Sequence, residues 1–347
     1  MSHWRMPAET APHERTWMAW PSAPYTLGAT SLDAEEAWST WAAVANAISR
    51  FEPVSMLVAP DAVDKARRRL SSDVELHIAE LDDAWYRDSG PTFVFDEQGC
   101  LGAVDWVFNG WGQQSWARWE ADQHAAEVAI SASGAEQIDS PLVNEGGGIH
   151  TDGAGTVLVT ETVQLDPYRN PGWSKAQVEA ELAATIGAEK VIWLPRGLTR
   201  DSQRFGTRGH VDIVATLPRP GVALLHVQRD PAHPDHALDA DLRRALTATA
   251  DAAGRTLEVI DLPAPRALSD ADGFVDYSYV NHYVANGAVI ACTFADPADA
   301  EAREILADAY PGREVVGVDA RALFARGGGI HCITQQQPAA PIEGAQQ

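Results

Sequence analysis

The same pentapeptide, Gly-Gly-Gly-Ile-His, occurs twice in this sequence, at residues 146–150 and again at residues 327–331. Self-similarity of this kind is typical of folds built from repeated modules around an axis. Equivalent turns in such a cyclic array converge on one centre. The repeat therefore predicts that Glu145, which precedes the first copy, lies near Cys332, which follows the second copy.

Strand-like and helix-like runs alternate along the chain, which indicates an α/β fold. The spacing is too uneven for a TIM barrel, and no Gly-x-Gly-x-x-Gly follows a strand and opens a helix, so a dinucleotide-binding fold is not expected. Helical patterns predict helices at residues 33–51, 124–131, 174–186, 238–253 and 299–309. Apolar runs predict strands at residues 56–59, 74–78, 92–95, 103–108, 156–162, 191–194, 211–217, 222–227, 257–262, 288–294 and 315–318.

The chain has 347 residues, of which 45% are hydrophobic, so it can bury a large core. No linker or charge run interrupts the sequence, which predicts one continuous domain over residues 1–337. The Pro-, Ala- and Gln-rich residues 338–347 show no periodicity and are expected to form a flexible C-terminal tail.

The formal net charge is -23, which disfavours binding to nucleic acid and to anionic membranes. A cationic small molecule is the partner that such a charge attracts, although an acidic surface also simply keeps a protein soluble. No apolar run reaches 18 residues, and the N-terminus lacks the apolar core of a signal peptide, so we expect a cytoplasmic protein. The oligomeric state is left open, with a homodimer as one option.

The three cysteines, Cys100, Cys292 and Cys332, are odd in number and far apart in the sequence. They form neither a disulfide framework nor a zinc-binding pattern, and no metal site is expected. Cys332 directly follows three glycines, which allow a tight turn or a close approach to a ligand. It is therefore either a thiol facing a cleft or an ordinary buried strand cysteine.

Three residues besides Glu145 also have the chemistry of an active site. Asp88 lies in a Trp85–Pro91 turn that leads into a predicted strand. His210 and Asp212 are two residues apart at the start of another predicted strand, so their side chains should share one face. Each residue also has an ordinary interpretation, because turn aspartates often cap or pair locally and surface His–Asp pairs are common.

Taken together, these residues favour one class of substrate. A thiol with a histidine is the arrangement of a nucleophile and its base, and Glu145 could orient the histidine as a third member. Two additional aspartates are too many for peptide cleavage, in which the oxyanion needs N–H donors. Two carboxylates beside a thiol suit a planar guanidinium, which pairs with carboxylates through two parallel hydrogen bonds.

The sequence resembles the agmatine deiminase family of the guanidine-modifying pentein superfamily, which also includes bacterial peptidylarginine deiminases. The resemblance runs nearly end to end, in matching order. It is carried by residues 6–9, 12–14, 17–21, 85–91, 145–147, 209–212, 278–281 and 330–336.

The resemblance implies a five-bladed α/β propeller with its active site on a pseudo-fivefold axis. It implies hydrolysis of agmatine to N-carbamoylputrescine and ammonia, as in polyamine metabolism, without a cofactor. In this interpretation Cys332 is the nucleophile, His210 the general acid and base, and Glu145 its partner. Asp88 and Asp212 hold the guanidinium.

Other substrate-binding residues expected from the resemblance are Trp85, Trp111 and Gly329. Gly329 and the segment 109–119 depart from the family pattern on the expected tail-binding side, which leaves the tail open. The alternatives within the family are peptidylarginine, arginine or a longer guanidinoalkylamine. An anionic or peptidyl tail would require an arginine near the aromatic turn, and residues 109–116 contain none. Outside the family, a non-catalytic guanidine-binding protein and a thiol amidase remain as alternatives.

Overall fold

A computed structural model describes residues 4–340 of the chain. Its strands are β1 (His13–Ala19), β2 (Val54–Val58), β3 (Glu75–Ile78), β4 (Thr92–Phe95), β5 (Leu101–Val107), β6 (Glu136–Val143), β7 (Ile149–Thr151), β8 (Thr156–Thr160), β9 (Lys190–Leu194), β10 (Ala215–Arg219), β11 (Val222–Val227), β12 (Glu258–Pro263), β13 (Ser269–Asp270), β14 (Gly273–Phe274), β15 (Tyr283–Ala285), β16 (Ala288–Thr293), β17 (Glu314–Asp319) and β18 (Gln335–Pro338). Its α-helices are α1 (Pro24–Leu27), α2 (Ser31–Ile48), α3 (Val63–Arg67), α4 (Tyr86–Ser89), α5 (Gly110–Gln113), α6 (Ala125–Ser133), α7 (Glu161–Gln164), α8 (Lys175–Ile186), α9 (Leu238–Thr247), α10 (Ala298–Ala309) and α11 (Arg321–Phe324).

Five sheets share one strand pattern: a first strand runs antiparallel to a second, and the second pairs in parallel with a third. The pattern occurs in β4–β5–β6, β7–β8–β9, β10–β11–β12 and β15–β16–β17. It occurs again in β18–β1–β2, where β3 adds a fourth strand. The chain is thus a mixed α/β fold of repeated modules, as the repeated pentapeptide predicts.

The first and last strands belong to the same sheet. His13 pairs with Pro338 and Trp17 pairs with Gln335 in the antiparallel ladder between β1 and β18. The indole Nε1–H of Trp17 also donates to Gln337. The last strand therefore includes Pro338, which the sequence places in a flexible tail, and residues 341–347 of that tail lie outside the described residues.

Helices fill the space between the sheets and bury their apolar faces in shared cores. The amphipathic helix α2 buries residues such as Trp41 and Ile48 against β16 and β17. A capping box of Ser174 and Gln177 begins α8, and Gly187 ends that helix in a left-handed conformation. No helix within residues 4–340 combines the length and apolar character that crossing a membrane requires.

Two local predictions are wrong. Residues 211–217 do not form one strand, because Val211–Ile213 is a 3₁₀ turn and the strand β10 begins only at Ala215. The helix predicted to extend to Ala253 ends at Thr247. Apolar and Ala-rich runs carry too little information to separate a tight turn from the regular element that it adjoins.

Candidate active site

A short turn precedes the first strand of each of the five sheets, and these turns come together. They carry Asp88 in α4 before β4, Glu145 before the 3₁₀ turn Gly146–Gly148 and β7, His210 and Asp212 at the turn Val211–Ile213 before β10, Asn281 before β15, and Cys332 in the 3₁₀ turn His331–Ile333 before β18. Every one of these side chains is buried. The predicted convergence of Glu145 and Cys332 on a common centre therefore follows from the repeated module.

Gly147 marks the point at which the polar atoms meet. A Cβ placed on this residue would lie 2.5 Å from Nδ1 of His210, 2.9 Å from Oδ1 of Asp88 and 3.1 Å from Oδ2 of Asp212. The imidazole and both carboxylates thus approach the Gly147 backbone more closely than a side chain would allow. A glycine is required here because any larger residue would clash with these three groups.

The Cys332 thiol lies beside this point. Its Sγ is 3.5 Å from Oδ2 of Asp212, and it accepts a hydrogen bond of 3.3 Å from the Asn281 side-chain amide. Burial raises the pKa of the Cys332 thiol well above its usual value, and the negative charges of Asp212 and Asp88 raise it further. The thiol is therefore protonated at neutral pH until a positive charge arrives.

His210 is held by a buried chain of charges. Its Nε2 lies 3.1 Å from Oε2 of Glu145, and both oxygens of Glu145 accept from Nε of Arg169 at 3.0 Å. Burial opposes ionisation of Glu145, but Arg169 and His210 outweigh it and lower its pKa to about 2. Burial also lowers the pKa of His210, whereas Asp88 and Glu145 together raise it to about 9. His210 is thus a cation with Nδ1 free to face a ligand.

Asp88 has a different environment. Oδ1 accepts from the Gly147 backbone N–H at 3.1 Å, and Oδ2 accepts from the Trp111 indole at 2.8 Å. Burial raises the pKa of Asp88 to about 6, with Glu145 and Asp212 adding to the rise against the opposing effect of His210. The neighbouring Arg87 does not pair with Asp88, because its guanidinium points towards Gln336 and Glu9.

Two buried polar atoms at this centre lack a hydrogen-bond partner among the described residues: Nδ1 of His210 and Oδ1 of Asp212. A buried polar group without a partner costs free energy, so such atoms mark a place where a ligand completes the bonding. An unpaired carboxylate oxygen and an imidazole that can give up a proton match the N–H groups and the leaving nitrogen of a guanidinium.

The other predicted binding residues surround the thiol. The Trp85 ring and the Cys332 side chain both adjoin Gly328, where a Cβ would lie 2.8 Å from the indole and 2.9 Å from Sγ. Gly329 packs closely on a different residue, because a Cβ there would lie 2.4 Å from Oδ1 of Asn281. The binding roles of these residues stay predictions.

Four aromatic side chains, Tyr25, Trp111, Trp116 and Phe205, form a cluster beside Asp88, and we call this cluster the aromatic collar. Asp88 and Asp212 together are called the carboxylate clamp. Trp111, which donates to Asp88, stacks on Trp116 at 5.2 Å, and Trp116 contacts both Tyr25 and Phe205 edge-on. Trp111 and Phe205 have φ values of 57° and 67°, which is strained backbone for such residues. Strained, aromatic loops beside the clamp are suitably placed to contact the tail of a substrate.

The collar also borders Arg208, although residues 109–116 contain no arginine themselves. Its Nη1 lies 3.3 Å from the position of a Cβ on Gly112 and donates to both oxygens of Asp166 at 3.0 and 2.8 Å. Asp166 also accepts from Nη1 of Arg169 at 2.9 Å, so two arginines share this one carboxylate.

Four residues at the site carry no role in the sequence analysis: Asn281 beside the thiol, Arg169 behind Glu145, and His331 and Glu9 behind Asp212. Asn281 and His331 fall within the segments that carry the family resemblance, which is the signal that could have identified them. Arg169 lies in no such segment, and its partner is 24 positions away in the sequence.

The chain matches a known protein family over nearly its whole length. A family model described as Porphyromonas-type peptidyl-arginine deiminase matches residues 5–338, which includes every residue of the site. The chain belongs to this family. The resemblance predicted from the sequence motifs is therefore confirmed.

Relatives of known name align with nearly the whole chain. A Streptomyces coelicolor protein provisionally named agmatine deiminase is 56% identical over 338 residues, which cover 96% of this chain and 98% of that protein. The agmatine deiminase of Pseudomonas aeruginosa is 41% identical over 360 residues, covering 96% of this chain and 95% of that protein. A solved structure of Enterococcus faecalis agmatine deiminase has a TM-score of 0.90 and 32% identity, covering 98% of this chain and 97% of that chain.

Proposed function

We propose that this protein is a hydrolase that converts agmatine and water to N-carbamoylputrescine and ammonia. One observation carries the proposal: the Cys332 thiol, the free Nδ1 of His210 and the carboxylates of Asp88 and Asp212 meet at one buried point. That set of groups matches a planar cation attacked at carbon. The names of the full-length relatives support agmatine as the guanidine.

The two carboxylates would hold the guanidinium in place. Asp212 offers Oδ1, which has no other partner, and Asp88 offers oxygens fixed by Gly147 and Trp111. Charge-assisted hydrogen bonds of this kind fix both the position and the plane of a guanidinium. Its carbon then lies in front of Sγ of Cys332, and this positioning supplies part of the rate enhancement.

Binding of the cation also activates the nucleophile. The positive charge offsets the two carboxylates that raise the pKa of Cys332, so the thiol loses its proton more readily when substrate is bound. The thiol proton passes to water, the thiolate attacks the guanidinium carbon, and His210 donates a proton to the nitrogen that departs as ammonia, which leaves a thiouronium on sulfur. His210 then takes a proton from a water molecule, whose oxygen bonds to the same carbon. As the C–S bond breaks, the hydroxyl proton of this adduct passes to water, N-carbamoylputrescine leaves and the thiolate is restored.

The reaction uses only the side chains of this chain, the substrate and water, so it needs no cofactor. We place it in the cytoplasm, where a free nucleophilic thiol stays reduced. We also propose that the five sheets are the blades of a propeller about a pseudo-fivefold axis, within one catalytic domain. The support is their common strand pattern and the meeting of their five preceding turns.

The burial of the site favours a small guanidine over a peptidyl one. Cys332, Asp88, Asp212 and His210 are each at most 4% exposed, whereas a polypeptide substrate requires an open cleft around the scissile group. An intact thiol also favours an enzyme over a binding protein, because binding alone would require only the carboxylates.

The Cys332→Ser variant tests the proposal directly. We expect it to release no ammonia from agmatine, with calorimetry showing agmatine affinity within about threefold of the unmodified protein, since the clamp is intact. Ammonia release should be compared across agmatine, arginine, peptidylarginine and a longer guanidinoalkylamine. Turnover that survives the substitution, or a higher kcat/KM for another guanidine, would refute the assignment to agmatine.

A further inference from the structure

A buried chain of hydrogen bonds lies behind the guanidinium clamp. Nδ1 of His331 is 2.8 Å from Oδ2 of Asp212, and Nε2 of the same ring is 2.7 Å from Oε1 of Glu9. All three side chains are buried, at 8% exposure or less. His331 thus connects an N-terminal carboxylate to the carboxylate that touches the Cys332 thiol.

The backbone of His331 is fixed from both sides, so its ring has a defined orientation. Its N–H donates to Oδ1 of Asn281 at 3.0 Å, and its carbonyl accepts from Nε of Arg87 at 3.3 Å. With a carboxylate facing each ring nitrogen, both nitrogens must donate, and the ring is then an imidazolium. Burial and Arg87 lower the pKa of His331, but Glu9 and Asp212 outweigh them and raise it.

This imidazolium determines the state of Asp212. Burial alone would raise the pKa of Asp212, whereas the hydrogen bond and charge of His331 lower it below its ordinary value. The bond engages Oδ2 only and leaves Oδ1 without a partner among the described residues. Asp212 is therefore ionised, and its Oδ1 is not engaged by His331.

We propose that His331 is a positioning residue, anchored by Glu9, which keeps Asp212 ionised and aims its free oxygen at the cationic group of the substrate. The proposal deepens the proposed function, since it assumes that Asp212 binds the guanidinium. His331 itself does not touch the substrate in this assignment. It acts through Asp212, and Glu9 acts through His331.

A bound metal ion is the competing explanation for the same cluster. Facing ligand atoms of Glu9, His150 and His331 all lie within 4.8 Å of one another. However, Nη1 of Arg87 is 3.6 Å from the same Oε1 of Glu9, and its Nη2 is buried without a hydrogen-bond partner among residues 4–340. A fixed cation already supplies the positive charge that a metal would bring, so we assign the cluster to positioning.

Other charges face this chain from the neighbouring turns and strands and contribute to its titration. The charged or titratable groups around His331, Asp212 and Glu9 include Arg87, Asp88, His150, His210, His282, Cys292, Tyr310 and Cys332. None of them makes a hydrogen bond to Asp212 as short as that of His331. Removal of the His331 charge should therefore affect Asp212 first.

Alkylation of Cys332 by 2-chloroacetamidine measures this effect without depending on the natural substrate. The reagent carries an amidinium, and the thiolate displaces chloride to form an S–C bond. The His331→Asn variant keeps a donor near the position of Nδ1 but loses the charge, so Asp212 should be protonated at higher pH. Burial then raises the pKa of Asp212 without opposition from that charge, and we expect it to pass the pKa of Asp88, which is about 6. Asp212 would then set the acid limb of the pH–rate profile and move it up by about one unit, which is about a tenfold lower rate at pH 5 to 6.

Two further variants make the result specific. Glu9→Gln leaves the His331 ring in place and should move the acid limb in the same direction by a smaller amount, which tests the chain if His331→Asn folds poorly. His226→Asn is the matched control, because His226 is equally buried and uses Nδ1 to contact Ser278 rather than the site. Its acid limb should coincide with that of the unmodified protein.

Three results would overturn the proposal. They are an unchanged acid limb in both His331→Asn and Glu9→Gln, a loss of rate that is equal at every pH, and a stoichiometric metal in the purified protein that Glu9→Gln loses. If the limb moves as expected while the unmodified protein does not hydrolyse agmatine, the positioning role stands and the assignment of agmatine fails. The same alkylation measured beside agmatine turnover thus separates the two proposals.

Discussion

At the scale of single residues, the cation His210 lies among the carboxylates of Glu145, Asp88 and Asp212. The pKa of about 9 for His210 keeps it protonated at neutral pH, and the pKa of about 2 for Glu145 keeps its partner ionised. The pKa of about 6 for Asp88 means that this carboxylate becomes ionised as the pH rises through 6. Cation binding should therefore weaken below about pH 6 because Asp88 then becomes protonated.

This protonation pattern predicts that the thiol discriminates between charged and neutral electrophiles. At pH 7.5, 2-chloroacetamidine should alkylate Cys332 at least about 100-fold faster than the neutral isostere 2-chloroacetamide. This factor is the ratio of the two alkylation rates with Cys332 divided by the ratio of the same two rates with free cysteine. The cation both binds between the aspartates and lowers the thiol pKa. Mass spectrometry of time points gives both rates.

The control for this measurement is a Cys100→Ser background, because Cys100 is exposed and would react with either reagent. Cys292 is buried, and burial raises its pKa to about 12, so it should stay unmodified. Equal corrected rates for the two reagents would contradict the role of the carboxylates in activating Cys332.

Sequence reasoning named five side chains that meet at the site, including Glu145 beside His210, and missed others that contact them, such as Asn281. Cys332, His210, Asp88 and Asp212 have reactive side chains in short motifs, so chemistry alone suggests them. Asn281 is an ordinary amide in the sequence. Its importance appears only when the fold brings it 3.3 Å from a thiol that is 51 positions away.

At the scale of elements, the repeated unit is a tight turn followed by an antiparallel strand. Three-glycine turns were predictable from the pentapeptide, and the helix α8 was predictable from its capping residues. The turn at Val211–Ile213 was not, since its apolar residues also fit a strand. Both His210 and Asp212 nevertheless face the site, which a turn achieves as well as the predicted strand would.

The first of these glycine turns supplies a test of how closely the site is packed. In Gly147→Ala the new Cβ would lie 2.5 Å from Nδ1 of His210 and 2.9 Å from Oδ1 of Asp88, closer than real Cβ contacts allow, so it should displace both groups. We expect kcat/KM for agmatine to fall at least about 1,000-fold, which corresponds to about 4 kcal/mol of lost transition-state binding. Steady-state ammonia release gives this value.

The matched control is Gly134→Ala at the C-terminal end of α6. Gly134 has a positive φ, +69°, and its new Cβ would meet nothing within 4 Å. It should lose about 1 kcal/mol of stability from the left-handed backbone and keep its activity. Activity close to normal in Gly147→Ala would show that the substrate lies elsewhere.

At the scale of the whole molecule, the chain ends meet in one sheet because β18 pairs with β1. This closure was not predicted, since polar Gln335–Pro338 does not have a strand pattern and its partner lies more than 300 positions away. Order and pairing of repeated modules emerge from long-range contacts that a sequence pattern does not encode. The α/β class, by contrast, follows from local alternation.

A circular permutant tests the closure. Joining the present ends with a Gly/Ser linker and opening the chain between Ala253 and Gly254, an exposed turn, should leave the β1–β18 ladder intact. We expect kcat within about threefold and a melting temperature within a few degrees of the original protein, because new ends in exposed turns are well tolerated. Calorimetry and ammonia release provide the two measurements.

Removal of residues 335–347 is the contrasting variant, because it deprives β1 of its neighbour and exposes a strand edge. That protein should be insoluble or unfolded. If it folds and hydrolyses agmatine while the permutant does not, the pairing of the first and last strands is not what holds the molecule together.

The site draws one turn from each of five modules, and the turn with the thiol comes last in the chain. During translation, a ribosome therefore releases every other contributor before it releases the nucleophile. A nascent chain has no catalytic power until β18 can reach back to β1. In the proposed mechanism, a chain that stops before residue 332 lacks the nucleophile, so we expect such a fragment to release no ammonia.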